Sequence, residues 1–342
     1  MEKNKKLFLR IGVLLMFISI LIGMLIFLLG RLRTEREEGW SSKNLRKGLE
    51  TAVEYDKQYN SYIASEQEAL AAIKEYGILQ RQNYSNRKVE KVEHRMEADY
   101  AICAVNLGEM QQETAEDIER AFGYMYDRYP KLRGTLTNIS VGNFEGKAMS
   151  YIALTQSRVF VVHETEGVYP YVVKHEIILN AAKFFEREKL LAECSKQTEN
   201  GHWPEKTDIS SLVVHELGHH LLSVAAMEYY GLEKGYYITE DKADAYSRYV
   251  TDSLAEYQTF ARETEDAAYE IWKGKYNHKG DRETFRESIS LYAKGVQEDG
   301  GISYGETFAE AMADLYLHGE NAKDASKSME EALERRWKNN GL

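Results

Sequence analysis

Cysteine and proline are scarce in this 342-residue chain, with 2 Cys and 3 Pro, and its 24 Gly follow no period. So little of each excludes a disulfide-stapled miniprotein and a collagen-like fibre, and a 43% hydrophobic content excludes a disordered polymer. The isolated Cys103 and Cys194 read as buried hydrophobes, able to pair only in an oxidising compartment, and no CxxC is present. Internal repeats and low-complexity tracts are missing too. Positive charge is in short supply: 44 Lys and Arg face 55 acids, a net charge of −11. Residues 1–36 hold seven Lys/Arg against two acids, a local +5, so the rest of the chain carries −16. An acidic body lacks the basic face that releases phosphate counterions, which argues against nucleic acid as a partner.

What is present begins with one long apolar run. IGVLLMFISILIGMLIFLLG, residues 11–30, has no charge, and 20 residues at about 1.5 Å each reach about 30 Å, the thickness of a bilayer core. A cleaved signal has a shorter apolar region and a small-residue cleavage site, whereas Arg31, Arg33 and Arg36 follow this one directly. The sequence therefore predicts a single-pass anchor in the cell membrane. Lys3, Lys5, Lys6, Arg10 and the free amino terminus outweigh the second flank, which places the N-terminus inside and residues 37–342 outside the cytoplasm.

Residues 37–95 read as a helical stalk or lead-in, with a capping box at Ser65–Glu68 opening a helix that stops at Gly77. The pattern changes with the apolar run ADYAICAVNL. Thr114 then caps a helix that carries Ile118, Phe122 and Met125 on one side and ends near Pro130. Segments rich in Val, Ile and Tyr at 136–141, 150–155, 158–164 and 175–182 read as strands, and the remainder reads as helical. The expected class is α+β, with residues 96–342 as one domain holding a helical insertion at 231–289.

His215-Glu216-Leu217-Gly218-His219 is an HExxH segment in a helix expected to start after Asp208 and end near Gly231. Residues four apart share a helix face, so both imidazoles can reach one metal ion while Glu216 contacts water at that ion. A buried helix with two unpartnered His would incur a desolvation penalty that Zn²⁺ removes. His220 points elsewhere, as a supporting or surface residue. A catalytic zinc site needs a third protein ligand and an open position. Glu306 is one candidate, in YGETFAEAMADLYLHG, where Glu306, Glu310 and Asp314 share a face and alternate with small Ala309 and Ala313. Such a stripe is otherwise a solvated acidic face. Glu240 is the other candidate, 21 residues after His219 and followed by Asp244 in an E-x-x-A-D pattern of gluzincin type. A third His of metzincin type is excluded, because positions 222 and 225 are Leu and Ala.

VVHELGHH, followed by ESISLYAKG and ETFAEAMADLYLHGENAKDAS, resembles the zincin domain shared by anthrax lethal factor, the secreted Pro-Pro endopeptidases and phage head-associated proteins. The resemblance implies a zincin fold over roughly 98–335, with His215, His219 and Glu306 as zinc ligands. It further implies Glu216 as general base, Glu310 as a support behind the ligands, and Tyr292 as the donor to the transition state. Tyr304, in I-S-Y-G, has a similar setting and competes with Tyr292. The expected function is a membrane-anchored zinc metallopeptidase acting on protein or peptide substrates, with HEIILNAA (175–182) as the sheet edge that holds them. A gluzincin using Glu240, or a non-catalytic zinc module that binds a surface partner, is the alternative. The insertion is open to three roles: lid, partner surface or packing.

Overall fold

A computed structural model of the chain describes residues 87–338 apart from 145–148, 162–170, 232–241 and 297–300, together with 54–56, 61–63, Ala71, Lys74 and Arg81. Of 54–56, 61–63, 157–161, 171–174, 242–253 and 338 the backbone alone is described. The apolar run 11–30 lies outside the described residues, as does most of the lead-in helix expected from Ser65. No helix among the described residues is long and apolar enough to cross a membrane.

The fold is mixed, with a small sheet and predominantly helical content. In chain order the elements are β1 (Glu54–Asp56), β2 (Ser61–Ile63), α1 (Arg87–Tyr100), β3 (Ala104–Asn106), α2 (Gln112–Arg128), β4 (Leu136–Gly142), β5 (Ala153–Val161) and β6 (Tyr171–Asn180). Then follow α3 (Ala181–Phe184), α4 (Arg187–Glu199), α5 (Ile209–Tyr230), α6 (Lys242–Lys275), α7 (Arg282–Glu287), α8 (Tyr304–His318) and α9 (Asp324–Lys338). Sheet order is β1-β2-β5-β6-β4-β3. β3, β4 and β6 run parallel, β5 lies antiparallel to β6, and among the described residues β2 meets β5 at the pair Ile63 and Val161.

Several sequence expectations shift in the structure. The boundary set at residue 95 cuts through α1, whose Val89, Val92 and Met96 are buried in the common core with Ile118, Phe122 and Met125 of α2. Helical spacing of those three residues supplies the apolar face that docks α1 on the domain. α2 begins before Thr114, which is fully buried and accepts from Arg187 Nη1 at 3.4 Å instead of capping. The two strands expected at 150–155 and 158–164 are one strand, β5.

The expectation of a substrate edge at HEIILNAA is corrected outright. β6 pairs with β5 on one side and β4 on the other, and its side chains from His175 to Asn180 are all buried. A run buried on both faces reads as continuously apolar without being an edge. β6 stops at Asn180, whose side chain accepts from Ala182 N at 3.1 Å and caps α3.

Candidate metal centre

Helix α5 starts and ends where its sequence directs. Asp208 Oδ1 accepts from Ser211 N and Ser211 Oγ accepts from Asp208 N, both at 2.8 Å, which closes a capping box, and Gly231 ends the helix with φ of 69°. Val213, Val214, Leu217, Leu221 and Leu222 are fully buried, which fixes the rotation of the helix and leaves His215, Glu216 and His219 facing α8 and β5. α8 comes very close. A Cβ on Gly218 would stand 3.0 Å from Ala309 Cα and 3.4 Å from Met312 Cβ, so the glycine inside HELGH and the small residues of α8 together let two backbones approach.

That approach brings three ligand atoms into a triangle. His215 Nε2 lies 3.2 Å from His219 Nε2, and Glu306 Oε2 lies 3.3 Å from the first and 3.4 Å from the second. Bonds of about 2.0–2.1 Å in a tetrahedral zinc site set ligand atoms about 3.3–3.4 Å apart, which matches all three edges. Glu306 Oε2 is also buried without a hydrogen-bond partner, as expected of an oxygen aimed at a cation. His215, His219 and Glu306 are the group of His, Cys, Asp and Glu among the described residues placed to hold a metal ion. The donor set of two imidazoles and one carboxylate suits zinc.

The surrounding side chains orient this triad. Glu310 Oε1 sits 2.8 Å from His215 Nδ1, and Glu310 Oε2 accepts from Ser290 Oγ at 2.7 Å. Ser290 Oγ in turn accepts from Ala293 N at 3.0 Å, so Ser290 ties the segment bearing Tyr292 to the carboxylate behind His215. Burial opposes charge on both His215 and Glu306. The carboxylates nonetheless raise the imidazole well above its usual range, and His219 and His215 hold Glu306 below the usual carboxylate range.

Glu216 is 8% exposed, and Thr155 Oγ1 of β5 lies 2.6 Å from its Oε2 and 3.0 Å from its backbone oxygen. The ring of Tyr292 lies 5.8 Å from that of His215 and 5.2 Å from that of His202. Tyr292 N donates to His202 O at 2.9 Å, which anchors its segment to the turn before α5. Burial, followed by the charges of Glu306, Glu310 and Glu216, pushes the Tyr292 hydroxyl above the phenol range and keeps it a donor.

No family model, curated protein or solved structure matches the chain. The site therefore rests on its own geometry.

Of the residues singled out in the sequence, His215, Glu216, His219, Glu306, Glu310 and Tyr292 come together. Tyr304 does not face the imidazoles in the same way: its ring lies under the Arg286 guanidinium at 5.5 Å. Asp314 is fully buried away from the triad, taking His318 Nδ1 and Lys323 N at 2.8 Å each. The reading of 306, 310 and 314 as a solvated acidic stripe is thereby overturned, since Glu310 and Asp314 are buried and each has an imidazole partner. His220 is fully buried, not a surface residue. Its Nε2 lies 2.8 Å from Thr135 Oγ1 and its ring packs edge-on against His175. Glu240 lies outside the described residues. Thr155 and His202 escaped the sequence reading; no motif marks a threonine in a strand or a histidine in a turn.

Proposed function

We propose that the chain is a zinc metalloendopeptidase of zincin type, with residues 11–30 as its membrane anchor and the catalytic domain outside the cytoplasm. The observation that carries this reading is the triangle of His215 Nε2, His219 Nε2 and Glu306 Oε2, with edges of 3.2–3.4 Å and a buried, unpartnered carboxylate oxygen. Zinc held there supplies Lewis acidity, polarising a scissile carbonyl and acidifying water at neutral pH.

The remaining steps belong to side chains of this chain. Glu216 takes the proton of the attacking water and returns it to the leaving amine, while the Thr155 hydroxyl fixes one of its oxygens. Tyr292 donates to the carbonyl oxygen as it gains charge. Glu310 holds His215 in the tautomer that presents Nε2.

An extended peptide would pair with the stretch of β5 that precedes Val161, where β2 joins, because β6 is paired on both sides and the far edge, β3, is occupied. On that far edge Val105 N donates to Glu97 Oε1 at 2.9 Å and Leu107 N to Glu93 Oε1 at 2.6 Å, while Arg81 Nη1 donates to Val105 O at 2.9 Å. The support for the anchor is the uncharged 20-residue run, and for its orientation the balance of flanking Lys and Arg.

Cleavage of a peptide library by the full chain and by Glu216→Gln, with zinc content measured on both, tests the reading. The expected result is one zinc in each and a loss of about 10²–10⁴-fold in turnover for the variant. Retained turnover would remove Glu216 from the base role. Wild-type protein that holds one zinc and cleaves nothing would instead be a binding module.

A further inference from the structure

The two imidazoles of the triad are supported unequally. A metal-bound histidine needs a partner on its other nitrogen, which fixes ring orientation and basicity. His215 Nδ1 has the Glu310 carboxylate at 2.8 Å. Beside His219 Nδ1 the corresponding place is next to Gly305, on the first turn of α8. A Cβ built on Gly305 would stand 2.5 Å from the Tyr257 hydroxyl and 3.3 Å from His219 Nδ1. The bare glycine therefore leaves a space in which the phenol oxygen and the imidazole nitrogen both border one point, immediately before the ligand Glu306.

We propose that Tyr257 is the positioning residue of His219, its hydroxyl bordering the same point beside Gly305 as Nδ1 and so fixing the orientation of the ring whose Nε2 faces the metal. Tyr257 belongs to α6, within the insertion between the HExxH segment and the Glu306 helix. The same face of α6 carries Ala261 and Glu265, which are 1% and 0% exposed. Glu265 forms a buried fork with Arg286, whose Nη2 lies 2.6 Å from Oε1 and whose guanidinium covers the ring of Tyr304. α6 thus reaches the first turn of α8 at two points, Gly305 directly and Tyr304 through Arg286. Helix α6 is a wall of the metal centre, and it sets the orientation of one ligand as Glu310 sets the other.

This inference rests on the zinc reading above, and one titration separates the two. Zinc affinity of the full chain is measured by competition with a chelator for wild type, Tyr257→Phe and Gly305→Ala. The visible spectrum of the cobalt-substituted protein and the melting temperature of the metal-free protein are recorded alongside. The expected result is one zinc in the wild type, an affinity about tenfold weaker in Tyr257→Phe, an altered cobalt spectrum, and an unchanged metal-free melting temperature. Gly305→Ala, whose methyl displaces the hydroxyl, is expected to weaken zinc binding as well. Wild type that binds no zinc would overturn the metal centre itself. Wild type that binds zinc with Tyr257→Phe equal to it in affinity and cobalt spectrum would overturn only the role of Tyr257. A loss of affinity that merely follows a loss of metal-free stability would likewise overturn it, because that is packing.

Discussion

Carboxylates near the triad do different work according to what each one touches. Glu306 offers a buried, unpartnered oxygen to the space between two imidazoles, whereas Glu310 is saturated by His215 and Ser290. Replacing Glu310 with Gln keeps the shape and removes the charge behind His215. Zinc affinity in a chelator competition should fall by about 10–100-fold, and an unchanged affinity would show that Glu310 is only packing.

His220 supplies a pH effect independent of the metal. Burial, with His175 adding to it, holds its imidazole well below the ordinary value of 6.5. The unfolded chain therefore takes a proton below about pH 6.5 that the folded chain refuses. Stability should fall as pH drops through that range, by up to about 1.4 kcal/mol per pH unit from this group. Denaturation of metal-free protein between pH 7 and 5 should show a shallower slope for His220→Gln than for wild type. Equal slopes would assign the acid sensitivity elsewhere.

At the scale of elements, the centre depends on how closely α5 and α8 cross. Gly218→Ala would place a methyl 3.0 Å from the Ala309 backbone, which cannot swing aside as a side chain can. The expected cost is about 1–3 kcal/mol in denaturant unfolding, accompanied by weaker zinc binding as Glu306 moves from the imidazoles. A variant with wild-type stability and affinity would mean that the helices have slack. Elements with strong local signals were legible in the sequence. α5 has its capping box and terminal glycine, and the small residues of the Glu306 helix announced a close neighbour.

Elements decided by tertiary pairing were less legible. Nothing in HEIILNAA distinguishes an edge from a strand flanked on both sides, because burial on both faces and a hydrophobic edge give similar runs. Thr155 was invisible for a related reason: its role comes from β5 passing over Glu216, a contact 61 residues apart in the chain. Tyr292 was favoured in the sequence with Tyr304 as its competitor, and the ring contact of Tyr292 with His215 is a tertiary feature that no local setting could supply.

For the whole molecule, the net charge of −11 is an average over a basic N-terminal segment and an acidic body. Part of that acidity has a definite place: Glu306 closes a triangle with the two imidazoles, Glu310 stands behind His215, and Glu216 lies against Thr155, so the charge of any cation held in the triangle counts with theirs. The domain also begins earlier than its composition suggested, because α1 packs its Val89, Val92 and Met96 into the common core.

The central claim, that His215, His219 and Glu306 together hold one zinc ion, is tested most directly by zinc titration of the full chain beside Glu306→Gln and Glu240→Gln. One zinc is expected in the wild type, with unchanged affinity in Glu240→Gln and a loss in Glu306→Gln beyond the roughly 10–100-fold that supporting residues carry. Unchanged affinity in Glu306→Gln, with the loss in Glu240→Gln instead, would contradict it.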